Sequence, residues 1–325
     1  MRSSGSHRPG KSNTGLSRLC LIVSLFLATT IPFSIGQAFD SEMNAEEHAQ
    51  LIDDWRGRRD AALRREDGWL TLVGLHWLKP GPNRIGSDTH NDVIMPGGPP
   101  KWGVVNLGGE QLNFIPDSNA ELRLLQGDDV ITTLQESQPT RVELLTDDAE
   151  FPTIVNHGPI SFLIIHRQAF AVRVLNSQAS ARVNFPGVEN FQTQREWRIN
   201  SRFTPAKPGE TLEIANVLGQ LNEMAVAGYI AFEKGGKTHR LMALGDEESE
   251  NLWIIFADRT SGRETYGAGR YLYSDGLPLE GRLVIDFNKA YNPPCAFNEF
   301  STCPLPPQDN RLDLAVAAGE KTFHP

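Results

Sequence analysis

Hydrophobic and polar residues alternate in short runs along the middle of the chain. Between residues 102 and 146 the runs are 102–107, 111–115, 121–125, 130–134 and 141–145. Gly108-Gly109 and Gly127-Asp128-Asp129 interrupt them. A period of two places apolar side chains on one face of a strand. Strands at this spacing, with turn residues between them, are typical of a sandwich or barrel.

The same pattern continues toward the C-terminus. Further strands are predicted at 160–166, 170–175, 197–203, 211–217, 225–233, 237–244, 252–256 and 282–287. The first two resemble a hairpin about Gln168, and Gly235-Gly236 marks a second hairpin. No linker, internal repeat or low-complexity tract is evident. A lobe boundary near residue 150 is placed at the weakest point of the alternation.

A helical pattern precedes the strands. Apolar residues recur at roughly helical spacing over residues 41–66, with charges between them. We predict a mainly β protein of antiparallel sandwich or barrel lobes, with an N-terminal amphipathic helix and an irregular, proline-rich C-terminal loop. The predicted segments are a signal peptide (1–38), the helix (39–66), a sandwich-like lobe (67–150) and a β-rich lobe (151–325).

One short stretch of the first lobe resembles the start of a forkhead-associated (FHA) domain. It comprises Arg84-Ile85-Gly86-Ser87-Asp88 and then Asn91-Asp92-Val93-Ile94-Met95-Pro96. That family places an arginine directly after the glycine and a Ser-x-x-His later in the chain, whereas here Ser87 follows the glycine and no Ser-x-x-His begins after Ser87. The resemblance therefore supports a β-sandwich and not phosphothreonine binding.

The N-terminal segment has the pattern of a secretory signal peptide. Basic residues at positions 2, 8, 11 and 18 precede an apolar run over 19–31, and Gly36-Gln37-Ala38 ends it. A retained anchor helix is the alternative, although the run is short for a bilayer. Cleavage after Ala38 would change the formal net charge from −9 to −13, because the segment has four basic residues and no acidic ones.

This composition limits the partners. An acidic secreted chain is a poor candidate for nucleic acid, and cleavage would leave no stable membrane anchor. The segment also contains Cys20, so Cys295 and Cys303 would be the cysteines that remain. In an oxidising compartment they could form a disulfide. Two free thiols, or one reactive thiol, are the alternatives.

The C-terminal region contains the most unusual composition. Asp286-Phe287-Asn288-Lys289-Ala290-Tyr291-Asn292-Pro293-Pro294-Cys295-Ala296-Phe297 is followed by Cys303-Pro304-Leu305-Pro306-Pro307 and later by Ala318-Gly319-Glu320-Lys321. Proline fixes φ, removes a donor and restricts the preceding residue. We expect this stiff segment to fold back over the sheet and to bring polar side chains to a cavity.

Candidate site residues come from this region and from the glycine-rich stretch before it. The predicted catalytic residues are Asp286, as a base, and Cys295, as a nucleophile. The predicted binding residues are Tyr266, Arg270, Asn288, Tyr291 and Asn292, with Arg270 as an anion or hydroxyl clamp. In the structural alternative, Asp286 and Asn288 cap backbone groups of the loop and Arg270 pairs with Asp286.

Standard motifs give no support for a particular reaction. The chain has no Gly-x-Ser-x-Gly elbow, phosphate-binding loop, His-Glu-x-x-His helix or Cys-x-x-Cys pair. No metal or cofactor is predicted. The sequence does not establish whether the protein is an enzyme, nor its oligomeric state.

Several long motifs resemble one family. They are Gly68-Trp69-Leu70-x-Leu72-Val73-Gly74-Leu75-x-Trp77-Leu78, Thr265-Tyr266-Gly267-Ala268-Gly269-Arg270-Tyr271-Leu272, and the C-terminal motifs quoted above. Together they resemble the bacterial and archaeal "domain of unknown function 1684" family, over nearly the whole predicted mature chain. The resemblance implies no activity. We therefore expect a secreted or periplasmic protein that binds a small polar molecule or glycan and could hydrolyse it. The alternative is a non-catalytic structural or interaction module of the cell envelope.

Overall fold

The computed structural model describes residues 43–127, 129–134 and 141–324, without the side chains of 129–134. The predicted signal peptide lies outside the described residues. These described residues belong to one compact unit. No helix in the described part of the chain is long and apolar enough to span a bilayer.

The N-terminal helix, α1 (Ala45–Leu63), begins at a well-formed cap. The side chain of Asn44 accepts hydrogen bonds from the backbone N–H groups of Glu46 and Glu47, and the Glu47 side chain accepts from the N–H of Asn44. This capping box satisfies amide groups that the first helical turn leaves unpaired. The buried residues of α1 are His48, Ile52 and Leu63. Its docking face is therefore partly polar.

The first half of the strand-rich region contains β1 to β11. They are β1 (Leu72–Trp77), β2 (Gly81–Gly86), β3 (Val93–Ile94), β4 (Gly103–Gly108), β5 (Gln111–Pro116), β6 (Leu122–Gln126), β7 (Asp129–Leu134), β8 (Val142–Glu143), β9 (Thr153–His157), β10 (Ile160–Arg167) and β11 (Ala169–Asn176). One sheet has the order β1-β11-β10-β9-β6-β7 and the other has the order β3-β2-β4-β5-β8. Strand pairs are antiparallel except β2 with β3.

These two sheets enclose one hydrophobic core. Val105 and Phe114 from one sheet are buried with Phe162 and Val172 from the other. The rings of Phe114 and Phe162 meet edge to face, with centroids 5.7 Å apart. Two sheets that bury their inner faces against each other form a sandwich. The sheet that contains β1 includes strands from both sides of residue 150. The lobe boundary predicted near residue 150 stays a prediction.

After a short helix, α2 (Ser180–Val183), a further sheet begins. Its strands are β12 (Arg198–Pro205), β13 (Thr211–Ala215), β14 (Leu221–Lys234), β15 (Lys237–Leu244), β16 (Trp253–Phe256), β17 (Arg270–Tyr273) and β18 (Arg282–Asp286). Their order is β17-β16-β15-β14-β12-β18, and β13 pairs with β14. Ile254 and Phe256 of β16 belong to one buried cluster, whereas Ile255 belongs to another. Both faces of this sheet are therefore covered.

The C-terminal segment supplies much of that cover. Phe287, Val316 and Ala318 pack in the cluster on one face. Cys303 is buried in the cluster on the other face, with Tyr291 packed against it. The segment thus folds back over the sheet, as expected from its stiffness. The mainly β, antiparallel fold with an N-terminal helix is also confirmed.

Candidate functional site

Arg270, predicted as a ligand clamp, is fully buried at the start of β17. Its Nη2 donates to Asp258 Oδ2 at 3.0 Å and to the carbonyl of Val316 at 2.9 Å. Its Nη1 donates to the carbonyls of Ala318 and Glu320. Arg270 therefore fastens residues 316–320 to the sheet. Its carboxylate partner is Asp258, and not Asp286 as the structural alternative had it.

Asp286 and Asn288 are fully buried beside α1. The Oδ1 atom of Asp286 accepts from the N–H of Asn288 at 3.0 Å and from its Nδ2 at 2.8 Å. The Oδ2 atom lies 2.7 Å from Nε2 of His48. Asn288 also exchanges two hydrogen bonds with the backbone of Gln194. The bond from the N–H of Asn288 to Asp286 is a backbone cap of the kind in the structural alternative, whereas the contacts with His48 and Gln194 were not part of it. The base role of Asp286 stays a prediction.

Asn292 is held at a second contact with α1. Its N–H donates to Glu320 Oε2 at 2.7 Å, and its carbonyl accepts from Arg59 Nη2 at 2.9 Å. Arg59 Nε donates to Glu320 Oε1 at 3.0 Å. We call this set and the His48–Asp286 contact together the helix latch. Sequence reasoning did not include His48 or Arg59, although both share one helical stripe with Ile52.

The two cysteines are neighbours and are free thiols in this structure. The N–H of Cys295 donates to Cys303 Sγ at 3.1 Å, and Tyr266 Oη donates to the carbonyl of Cys295 at 2.9 Å. A hydrogen bond from Cys303 lowers the pKa of Cys295, and the same bond raises the pKa of Cys303. Burial raises the pKa of Tyr266. The disulfide and the nucleophilic role of Cys295 stay predictions.

A cavity of about 560 Å³ lies between the sandwich of β1 to β11, the sheet of β12 to β18 and the C-terminal segment. Of the predicted site residues, Tyr291 lines it, and Cys303 of the predicted disulfide does so too. The lining is Arg59, Trp69, Asp148, His166, Arg167, Arg173, Asn222, Met224, Trp253, Tyr271, Tyr273, Tyr291, Pro294, Ser301, Thr302, Cys303 and Pro304.

Aromatic rings form one wall of this cavity. The rings of Trp253 and Tyr273 are 20° from parallel, with centroids 6.4 Å apart. Tyr273 and Tyr291 are 14° from parallel at 6.2 Å. Tyr271 is nearly perpendicular to Trp253 and to Tyr291, at 81° and 88°. We call Trp253, Tyr273 and Tyr291 the aromatic wall.

Arg173 of β11 is the most unusual charged residue of the lining. Its exposed fraction is 6%, yet it forms no ion pair with any described side chain. Its Nη2 lies 3.5 Å from Thr302 Oγ1, and its Nε is buried without a hydrogen-bond partner. Its guanidinium carbon lies 5.8 Å from the ring centre of Trp69. Burial, followed by the neighbouring charge of Arg167, lowers the pKa of Arg173 to about 10.

The other two arginines of the lining are paired. Arg167 donates to both carboxylate oxygens of Asp147, at 3.1 and 2.6 Å, and Arg59 donates to Glu320. At neutral pH the cavity thus contains one buried positive charge that lacks a carboxylate partner among the described side chains. A sequence signal for it exists, because Arg173 interrupts the apolar run from Phe170 to Leu175.

The described residues contain no group of three or more His, Cys, Asp or Glu side chains that could hold a metal ion. His166 Nδ1 lies 3.2 Å from Asp148 Oδ2 at the cavity, and its ring stacks on Phe170.

One protein family matches the C-terminal part of the chain. The model of a family described as "Protein of unknown function (DUF1684)" matches residues 183–321. The chain belongs to this family. The DUF1684 match includes the motifs at 265–272 and 286–297, whereas α1, the motif at 68–78 and Arg173 precede it.

A solved structure is also similar to part of the chain. The solution NMR structure of an uncharacterized protein from Haloarcula marismortui has 30% sequence identity, covers 43% of this chain and 79% of its own, and has a TM-score of 0.37. The search of curated proteins finds no match.

Proposed function

We propose that this protein binds a small organic anion in the 560 Å³ cavity, with Arg173 as the group that holds the negative charge. The observation that carries the proposal is the buried, charged Arg173 without a carboxylate partner among the described side chains. The cavity volume falls within the range of about 300–1,000 Å³ that is usual for small-molecule sites.

Burying a charge inside a protein costs free energy. An ion that leaves water loses its hydration, and buried charges in proteins are therefore normally paired. Arg270, in the same chain, follows this rule with Asp258 and carbonyl partners. Arg173 has no such carboxylate partner among the described side chains. Its pKa of about 10 still leaves it protonated at neutral pH. A bound anion would supply the missing partner.

The test is substitution of Arg173 by Met, which keeps the length of the side chain and removes its charge. A panel of small organic acids is first screened by thermal shift, and hits are measured by calorimetry. We expect the substitution to weaken binding about 10- to 100-fold, as for a lost charge-assisted hydrogen bond of about 1.5–3 kcal/mol. Arg84→Met is the control, because the exposed Arg84–Asp92 pair lies outside the cavity lining.

The stability of the unliganded variant gives a second result. If Arg173 serves ligand binding, Arg173→Met removes an uncompensated buried charge and leaves the ligand-free protein at least as stable as the wild type. A loss of several kcal/mol, with no organic acid stabilising the wild type, would show that Arg173 is structural and would overturn the proposal.

We also propose that the protein is exported, as its N-terminal segment suggests. The basic residues, the apolar run over 19–31 and the small residues at 36–38 support cleavage after Ala38. Cell fractionation followed by N-terminal sequencing tests this. We expect the mature chain outside the cytoplasm with Phe39 as its first residue, and an intact N-terminus in the cytoplasmic fraction would contradict it.

Hydrolysis is not part of the proposal, because the carboxylate of Asp286 is buried and occupied by Asn288 and His48. The contacts of Arg270, Asp286 and Asn288 favour the structural alternative for that cluster. The proposed binding site therefore lies at different residues from those predicted, with Tyr291 common to both.

A further inference from the structure

We infer that the ligand class is a monocarboxylate attached to a ring that can stack on aromatic side chains, with its carboxylate on Arg173 and its ring against the aromatic wall. This inference rests on the proposed function and deepens it. Three features of the cavity carry it: the number of free charges, the donors that Arg173 offers, and the aromatic surface.

The charges of the lining favour a single negative charge on the ligand. Arg59 and Arg167 are already neutralised by Glu320 and Asp147. Asp148 also lines the cavity and adds negative charge beside His166. Among the described side chains of the lining, Arg173 is the one cation without a carboxylate partner. A ligand with two negative charges would therefore bury its second charge without a cation to compensate it.

The guanidinium of Arg173 has free donors for a carboxylate. Nη2 has one contact, at 3.5 Å to Thr302 Oγ1, and Nη1 donates to no described group. Two adjacent N–H donors in a plane match the two oxygens of a carboxylate. Tyr271, Tyr291 and Cys303 of the lining add no negative charge, because burial raises the pKa of both tyrosines and a bond to Cys295 raises the pKa of Cys303.

The aromatic wall favours a ring. Neighbouring rings of the wall lie within 20° of parallel, with centroids 6.2 and 6.4 Å apart. Tyr273 is 49% exposed and Trp69, beside Arg173, is 41% exposed. Large aromatic side chains that stay exposed at a concave surface mark binding sites. A ring that stacks on them gains more than a short aliphatic acid could. An aromatic acid offers a flat ring and an acidic sugar offers the C–H face of its ring, and each also has one carboxylate.

The test compares five probes by calorimetry on the full mature chain at pH 8: phenylacetate, glucuronate, acetate, benzyl alcohol and phenyl phosphate, which is a dianion at that pH. We expect phenylacetate or glucuronate to bind at least about tenfold more tightly than the other three, a difference equal to about 1.4 kcal/mol. A preference for phenylacetate identifies an aromatic acid, and a preference for glucuronate identifies an acidic sugar.

Two variants test the assigned contacts. Arg173→Met is expected to abolish the advantage of the ring acids over benzyl alcohol. Tyr273→Ala is expected to reduce the affinity for the ring acid to that for acetate. Leu277→Ala is the matched control, since Leu277 is a similarly exposed apolar residue outside the cavity lining, and it should leave the affinities unchanged.

The outcomes separate this inference from the proposed function. If acetate binds as tightly as the ring acids, or phenyl phosphate binds more tightly, and Arg173→Met still weakens that binding, the ligand class is wrong and the anion site stands. If no acid binds in a way that depends on Arg173, both are wrong.

Discussion

Two buried arginines of this protein, Arg270 and Arg173, have different surroundings. Replacement by Met should therefore change the free energy of unfolding in different ways at the two positions. Arg270 has a carboxylate and several carbonyls around it, whereas Arg173 has one long hydrogen bond, to Thr302, and a contact with the ring of Trp69. From the sequence, Arg270 looked like the functional residue, because it follows a glycine-rich stretch. Burial and pairing depend on distant residues, so local sequence could not separate the two roles.

Replacing Arg270 by Met should destabilise the protein severely. The change leaves the buried carboxylate of Asp258 without its cation and removes the donors to the carbonyls of Val316 and Glu320. We expect a loss of about 3–5 kcal/mol in the free energy of unfolding, measured by urea denaturation. Arg84→Met, at an exposed ion pair, should change the free energy of unfolding far less, because solvent screens such pairs. If Arg270→Met lowers the free energy of unfolding as little as Arg84→Met does, the structural role of Arg270 is contradicted.

The neighbouring thiols predict a pH effect. The hydrogen bond from Cys303 stabilises the thiolate of Cys295, so the pKa of Cys295 is lowered and its thiolate forms at lower pH than that of an ordinary cysteine. Alkylation of Cys295 by iodoacetamide, followed by mass spectrometry across pH, should show a higher midpoint in Cys303→Ala. Cys303→Ser keeps a donor and should retain a lowered midpoint. Equal midpoints in all three proteins would contradict the contact.

The same experiment tests the predicted disulfide. If the mature protein is exported, protein purified from that compartment without reductant should resist alkylation at both cysteines until a reductant is added. Alkylation of both residues without reductant would show free thiols.

At the scale of elements, the strands were predictable and the irregular C-terminal segment was predictable only in part. Alternation with period two depends on local burial, which explains the agreement for β4, β5, β10, β11 and β15. The predicted helix over 41–66 is observed as α1 (Ala45–Leu63), which starts at the cap of Asn44. The path of residues 287–320 has no period, because prolines and side-chain contacts determine it.

One glycine of that segment should be essential for its path. Gly319 has φ +79°, and a Cβ there would lie 2.4 Å from the carbonyl oxygen of Ala290 and 2.8 Å from that of Phe287. Gly219 has nearly the same φ, +78°, but open space around the Cβ position. Gly219→Ala should therefore cost about 1–2 kcal/mol for the backbone conformation alone. Gly319→Ala should cost clearly more in urea denaturation, and equal costs would contradict the observed close approach.

At the scale of the whole molecule, the helix latch joins the two ends of the described chain. His48 and Arg59 of α1 contact Asp286 and Glu320, which lie in the family segment 183–321. Sequence reasoning found the carboxylates and the helix separately. It could not pair them, because no local pattern connects residues more than 200 positions apart.

Loss of both latch contacts should release α1. In His48→Ala/Arg59→Met, the carboxylates of Asp286 and Glu320 lose their partners on the helix, and few apolar contacts of α1 remain. We expect a loss of about 3 kcal/mol or more in the free energy of unfolding. Hydrogen exchange should increase in α1 and change little in β10 and β11. Gln50→Ala, on the exposed side of α1, is the control, and unchanged exchange in the double variant would contradict the latch.

The latch has a consequence for the order in which the chain can fold. The ribosome makes α1 among the first elements and Asp286 and Glu320 among the last, 238 residues separating His48 from Asp286. Closing so long a loop is slow, and domains otherwise fold as they emerge during synthesis. The helix therefore lacks its docking partners until translation is nearly complete. A nascent chain that ends before Asp286 cannot form the helix latch.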